Sequence, residues 1–133
     1  MNNERKLRIT LIANATFSTL TGIIMLSAND WFSELIGVDI PNLFLILGIG
    51  LLVFALSLIH TATRQNLSLK MVNSIIIQDI LWIIGSAIII GLQPFGVTDL
   101  GYWVIAIVAI IVADFAFFQW KFVRNLKNEN KAF

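Results

Sequence analysis

The chain has no cysteine, one histidine, two prolines and little charge. Without Cys there is no disulfide framework, no thiolate zinc site and no iron–sulfur cluster. One His cannot supply two axial haem ligands. Asp, Glu, Lys and Arg make up 13% of the residues, about half of the roughly 25% found in soluble domains. Nine basic residues against eight acidic leave a net charge of +1, too little for the basic field that nucleic acid requires. No glycine-rich phosphate loop is present, so no cofactor is expected.

The 133 residues are instead 58% hydrophobic, with a mean hydropathy of +0.86. A bilayer core of about 30 Å is crossed by about 20 apolar residues in helix. Four such runs occur, at about Ile9–Ala28, Pro41–Thr61, Met71–Leu92 and Leu100–Trp120. The expected fold is an all-α polytopic membrane protein of four antiparallel transmembrane helices, forming one domain over residues 1–133. The first run holds Asn14, Thr16, Ser18, Thr19 and Thr21, which separates it from the unbroken apolar core of a signal peptide. It is expected to stay in the protein.

Charge sets an expected orientation. Arg5, Lys6, Arg8, Arg64, Lys70, Lys121, Arg124, Lys127 and Lys131 all lie before the first span, between the second and third, or after the fourth. The other two loops carry Asp30, Glu34, Asp39 and Asp99 and no base. Basic loops stay inside, so both termini are expected in the cytoplasm, with Trp31, Phe32, Tyr102 and Trp103 in an outer aromatic belt and Trp120 in the inner one. In the first outer loop, Asn29 or Asp30 is placed to cap a short interfacial helix with Trp31, Phe32, Leu35 and Ile36 on its apolar face and Gly37 at its end. Pro41 suits the first turn of span two. Gln93-Pro94-Phe95-Gly96 reads as a turn, after which Thr98 or Asp99 caps span four. The short link between spans two and three is expected to hold them antiparallel.

Small residues mark the expected packing faces: Ala106, Ala109, Ala113 and Ala116 on span four, Gly48, Gly50, Ala55 and Ser57 on span two, and Ala15, Ser18, Thr21 and Gly22 on span one. A faint repeat at an offset of 65 lays Asn14, Phe17, Thr21 and Gly22 over Asp79, Trp82, Ser86 and Ala87, a pattern found in transporters built from parallel repeats and equally in any two packed spans, which show a polar or small residue every turn or two.

Ionisable residues inside a span cost roughly 2.5–3.5 kcal/mol at the centre, which makes them informative. Asp79 and Asp114 qualify. At 1.5 Å per residue, Asp79 lies roughly 12 Å from the inner end of its span, Asp114 roughly 9 Å and Asn14 roughly 8 Å. Gln78 and Gln119 bracket this layer, and Ser57 and His60 approach it from span two. All four helices are therefore expected to donate a polar group to one slab near the inner leaflet. Asp79, Trp82 and Ser86 share a face that should point inward. The candidate ligand- or proton-binding residues are Asn14, Asp79, Trp82, Asp114, Gln78, Ser86 and His60. Two carboxylates sharing a partly dry site suit proton-linked binding or transport of a small solute. In the structural alternative, Asp79 bonds Asn14 across the bundle, and Asp114 reaches Arg8, Arg64 or Lys121. Ser57 and His60 have no evident orienting carboxylate or oxyanion feature, and no metal-ligand spacing is present. Neither an enzyme nor a metal site is expected.

Helix number invites comparison with the small multidrug resistance transporters and the vitamin K epoxide reductase relatives. The former are built around a Glu in the first span, where this chain has Asn14, and the latter need a Cys pair. The stretches Asn14-Ala-Thr-Phe-Ser18, Leu47-Gly-Ile-Gly-Leu-Leu-Val-Phe-Ala-Leu56, Asp79-Ile-Leu-Trp82-Ile-Ile-Gly-Ser86 and Thr98-Asp-Leu-Gly101 resemble small bacterial four-span integral membrane proteins without an assigned function. That resemblance implies a bacterial inner membrane. The favoured expectation is a protein that binds or transports a small, lipid-like solute, with membrane lipid and a small-molecule ligand as partners. The alternative is an accessory or scaffold subunit packing against a membrane partner or against itself as a homo-oligomer.

Overall fold

The computed structural model describes residues 2–37, 42–92 and 97–131. Five helices follow one another: α1 (Asn3–Ser27), α2 (Asn29–Ile36), α3 (Leu43–Thr63), α4 (Leu69–Leu92) and α5 (Asp99–Lys131). There is no strand among the described residues. All but α2 are long and apolar enough to cross a membrane. α1 begins before Ile9 and α5 continues past Trp120, because the Arg, Lys, Glu and Leu residues at these ends are good helix formers in water as well. At 33 residues, α5 is roughly 50 Å long, well beyond a bilayer core. Pro41 and the Gln93–Gly96 turn lie outside the described residues.

The helix ends follow local chemistry. The Asn2 side chain accepts from the Arg5 N–H at 2.8 Å and caps α1. The break between α1 and α2 falls on Ala28, whose N–H still donates to the Ile24 carbonyl while its own carbonyl accepts from Phe32 N–H. Neither Asn29 nor Asp30 is therefore the cap of α2, contrary to expectation. Both sit in its first turn, where Asp30 faces the positive end of the helix dipole. Gly37 ends α2 in the left-handed conformation (φ 82°), as its position predicts. Asn42, also left-handed (φ 62°), precedes α3, a conformation that Asn tolerates better than most residues.

Each long helix turns one stripe inward: Leu7, Leu11, Asn14, Ala15, Ser18, Gly22 and Met25 on α1, and Phe44, Gly48, Ala55, Leu58 and Ala62 on α3. Their contact is the most extensive in the bundle. Towards the α2 end of this contact, Gly22 and Gly48 face one another so closely that a Cβ on either would lie 3.0 Å from the other's carbonyl oxygen. α4 packs on α5, and α5 packs on α1, whereas α3 and α4 barely touch although a short link joins them. Two apolar clusters occupy the ends of the bundle. One joins Leu7, Leu11, Leu58, Val72, Ile75 and Val123 near the chain termini. The other joins Met25, Ile36, Phe44 and Val97 beneath α2.

Two polar fastenings hold these ends. The Arg8 guanidinium donates to the carbonyls of Ala62 (2.7 Å), Arg64 (2.6 Å) and Gln65 (3.3 Å), and to Glu4 Oε1 at 2.9 Å. It thereby satisfies carbonyls that the end of α3 leaves without helical partners. At the opposite end, the Thr98 hydroxyl donates to the Leu35 carbonyl at 2.6 Å and accepts from Gly101 N–H at 2.9 Å. Thr98, rather than Asp99, therefore caps α5 while fastening it to α2. A Cβ on Gly101 would meet the Ile36 carbonyl oxygen at 2.7 Å and its Cα at 2.9 Å. Backbone cannot yield as a side-chain tip can. Gly101→Ala is expected to destabilise the fold by about 1–3 kcal/mol, whereas Gly85→Ala, which meets nothing within 4 Å, gains helix propensity of up to about 1 kcal/mol. Thermal unfolding of both variants in nanodiscs checks the contrast.

Candidate functional site

Between the two apolar clusters lies a polar layer. Asn14 Nδ2 donates to Asp79 Oδ2 at 3.2 Å and to Gln119 Oε1 at 3.1 Å. Gln119 Nε2 donates to the same Asp79 Oδ2 at 2.8 Å, and the Ser18 hydroxyl donates to Asn14 Oδ1 at 3.3 Å. The triangle joins α1, α4 and α5. Asn14 is 1% exposed, Asp79 3% and Gln119 0%. In an apolar surrounding each unsatisfied polar group costs several kcal/mol, and among the described residues no buried side-chain N or O atom lacks a partner. Three other hydroxyls of α1 are quenched locally: Thr10, Thr16 and Thr21 donate to the carbonyls of Lys6, Ile12 and Phe17 one turn back. Asn14 and Ser18 are thus the polar side chains through which α1 joins the layer.

Asp79 and Asn14, counterparts at the offset of 65, are hydrogen-bonded to one another. The two hairpins are not equivalent, however, because the α1–α5 seam is packed while its counterpart between α4 and α3 is open. Asp79 and Ser86 are buried and Trp82 is half-buried, which places their common face inward as expected.

The remaining candidates are not buried with these, although Gln78 borders the same cavity as Asp79. Asp114 is exposed. Residues Val112, Ala116, Gln119 and Val123 form the buried stripe of α5, and five residues of helix separate Asp114 from Gln119 by about 140° of rotation, so one helix cannot turn both inward. The expectation of two carboxylates in one slab is corrected accordingly. Arg8 is committed to the end of α3, and its bridge to Glu4 is the one ion pair among the described residues, so Asp114 has no basic partner there. Gln78, one position off the inward stripe, is exposed, and so is His60. Ser57 is half-buried and its carbonyl accepts from the Thr61 hydroxyl. The polar layer therefore draws on three helices, not four, and α3 contributes only aliphatic and aromatic groups to its surroundings. Ala106, Ala109 and Ala113 are half-buried, with Ala116 alone of that seam fully buried. Among the described residues no group of three or more His, Asp or Glu is arranged to hold a metal ion. Gln119 joins the site although the sequence reading did not select it, and the spacing Val112, Ala116, Gln119, Val123 is the signal that marks it.

The open seam between α3 and α4 forms a groove in two connected parts. The first, of about 350 Å³, is lined by Asn14, Phe17, Ser18 and Thr21 of α1, by Gly50 and Phe54 of α3 and by Gln78, Asp79 and Trp82 of α4. The second, of about 320 Å³, is almost wholly apolar and runs past Ser86, Phe44, Ile89 and Val97 towards α2. Thr21, Leu47, Trp82 and Val108 line both. Each part falls within the range of roughly 300–1,000 Å³ typical of small-molecule sites.

If the triangle acts as a unit, Asn14→Ala and Gln119→Ala are expected to be non-additive in a double-mutant cycle, coupling by about 0.6–1.7 kcal/mol. Asp114→Asn combined with either should add within about 0.5 kcal/mol. Equilibrium unfolding in mixed micelles measures both. No family model, curated protein or solved structure matches this chain, and its role is read from its own residues.

Proposed function

We propose that this chain is a multi-pass protein of a bacterial inner membrane, with both termini in the cytoplasm, and that it binds or moves a small lipid-like solute in the groove between α3 and α4. One observation carries the reading: two neighbouring helices stand apart along a groove that joins a buried polar layer to an apolar chamber. A solute with a polar head and an apolar tail matches that division, and the open seam gives it a lateral route from the bilayer. The orientation follows from the nine bases in segments at the end of the bundle that carries the termini.

The alternative, an accessory subunit, draws on the broad exposed apolar faces. Even α1, which buries the largest share of its apolar window, exposes Ile9, Ile12, Leu20 and Ile23.

Two measurements test the reading. Gly50 lines the groove and has open space where a side chain would begin, so Gly50→Phe should fill the groove without disturbing the bundle. Native mass spectrometry of protein released from native membranes should show a small amphiphile retained by the wild type and lost from Gly50→Phe. Equal retention, or no adduct on either, favours the accessory role. A reporter that matures only in the cytoplasm should be active at both termini and inactive when inserted after Gly37.

A further inference from the structure

We infer that the head group this groove accepts is a cation, specifically the ammonium of an alkyl amine, seated against Asp79 with its tail in the apolar chamber. The inference rests on the groove being a binding site and adds the chemical class of its occupant.

Hydrogen-bonding capacity at the buried floor argues for a donor. Both amide N–H groups of Asn14 are spent, one on Asp79 and one on Gln119. The Ser18 hydroxyl proton goes to Asn14 and the Thr21 proton to the Phe17 carbonyl. Asp79 takes both of its amide partners on Oδ2. Its Oδ1 accepts from no described side chain, and Asp79 lines the groove. At Asp79 and along α1 the capacity left is thus acceptor capacity, Asp79 Oδ1 and the hydroxyl lone pairs of Ser18 and Thr21, while the donors left on the α4 wall, the Trp82 indole N–H and one Gln78 amide N–H, belong to side chains that are not buried.

Charge points the same way. The partners of Asp79 are neutral amides, and no Lys, Arg or His among the described residues pairs with it. A carboxylate away from water calls for a compensating positive charge with good hydrogen-bond geometry. An ammonium supplies one charge and three donors. Trp82 stands where the polar and apolar parts of the groove join, and indole attracts cations more strongly than other aromatic rings. A sulfate or phosphate head would meet a carboxylate with no base beside it.

The tail follows from the second chamber, lined by Met25, Phe44, Leu81, Ile89, Val97 and Ile105 among others. From Asp79 to Ile89 the groove follows α4 for ten residues, roughly 15 Å, which suits a chain of medium length.

The test uses full-length protein in phosphatidylcholine nanodiscs, with Trp31, Trp103 and Trp120 changed to Phe so that Trp82 is the sole indole. Three probes of equal length are titrated at neutral pH: ω-bromododecylamine, ω-bromododecanol and ω-bromododecyl sulfate. Bromine quenches indole on contact, and the Gly50→Phe form corrects for quenching from the bilayer. The amine should quench saturably and bind about tenfold or more tighter than the alcohol, as expected for a hydrogen bond to a charged group. Asp79→Asn should remove that preference and Asp79→Glu should restore it. Equal binding of amine and alcohol, preference for the sulfate, or an amine preference that survives Asp79→Asn overturns the cation while leaving the groove as a site. No saturable quenching by any probe overturns the groove itself. If Asp79→Asn does not fold, the wild-type comparison of amine with alcohol decides alone.

Discussion

One carboxylate organises this bundle. Asp79 sits among apolar helices, and its Oδ2 is held by amide N–H groups from two of them, Asn14 and Gln119. Aliphatic packing leaves rotation about a helix axis weakly determined in lipid, where hydrophobicity does not drive association. A buried carboxylate permits little rotation, because turning α1 or α5 away strips it of a partner. The modest energy of such bonds therefore matters less than the register they impose on three helices at once.

Around that register the packing divides by chemistry. Small residues join α1 to α3, where Gly22 and Gly48 bring backbones together. Side-chain-to-carbonyl bonds close the two ends, through Arg8 at one and Thr98 at the other. Among the described residues, the Arg64 guanidinium donates to Met71 Sδ where the link enters α4, and no side-chain bond joins α3 to α4 further along. The groove lies where, among the described residues, neither small residues nor polar bonds bridge adjacent helices along their length.

Much of this was legible in the residues. Run length and charge located the four long helices, Gly37 and Thr98 marked their turn chemistry, and the cost of Asp79 pointed to a buried site with Asn14 across from it. Two features were not legible for physical reasons. The cost of an ionisable group says that it needs an explanation but not which way it faces, so Asp114 was drawn into the slab. Its phase relative to Val112, Ala116 and Gln119 places it on the opposite side of α5. The gap between α3 and α4 was hidden because a short link is ordinarily evidence of contact, and because Gly50, a small residue at a helix interface in the linear reading, borders open space instead.

The unequal seams have a mechanical consequence. α1 with α3, and α4 with α5, behave as two leaves whose common spine is the α1–α5 contact. A small change in the angle between the leaves moves the spine little and the far edges most. The width of the groove is therefore the dimension of the molecule that such a change alters most.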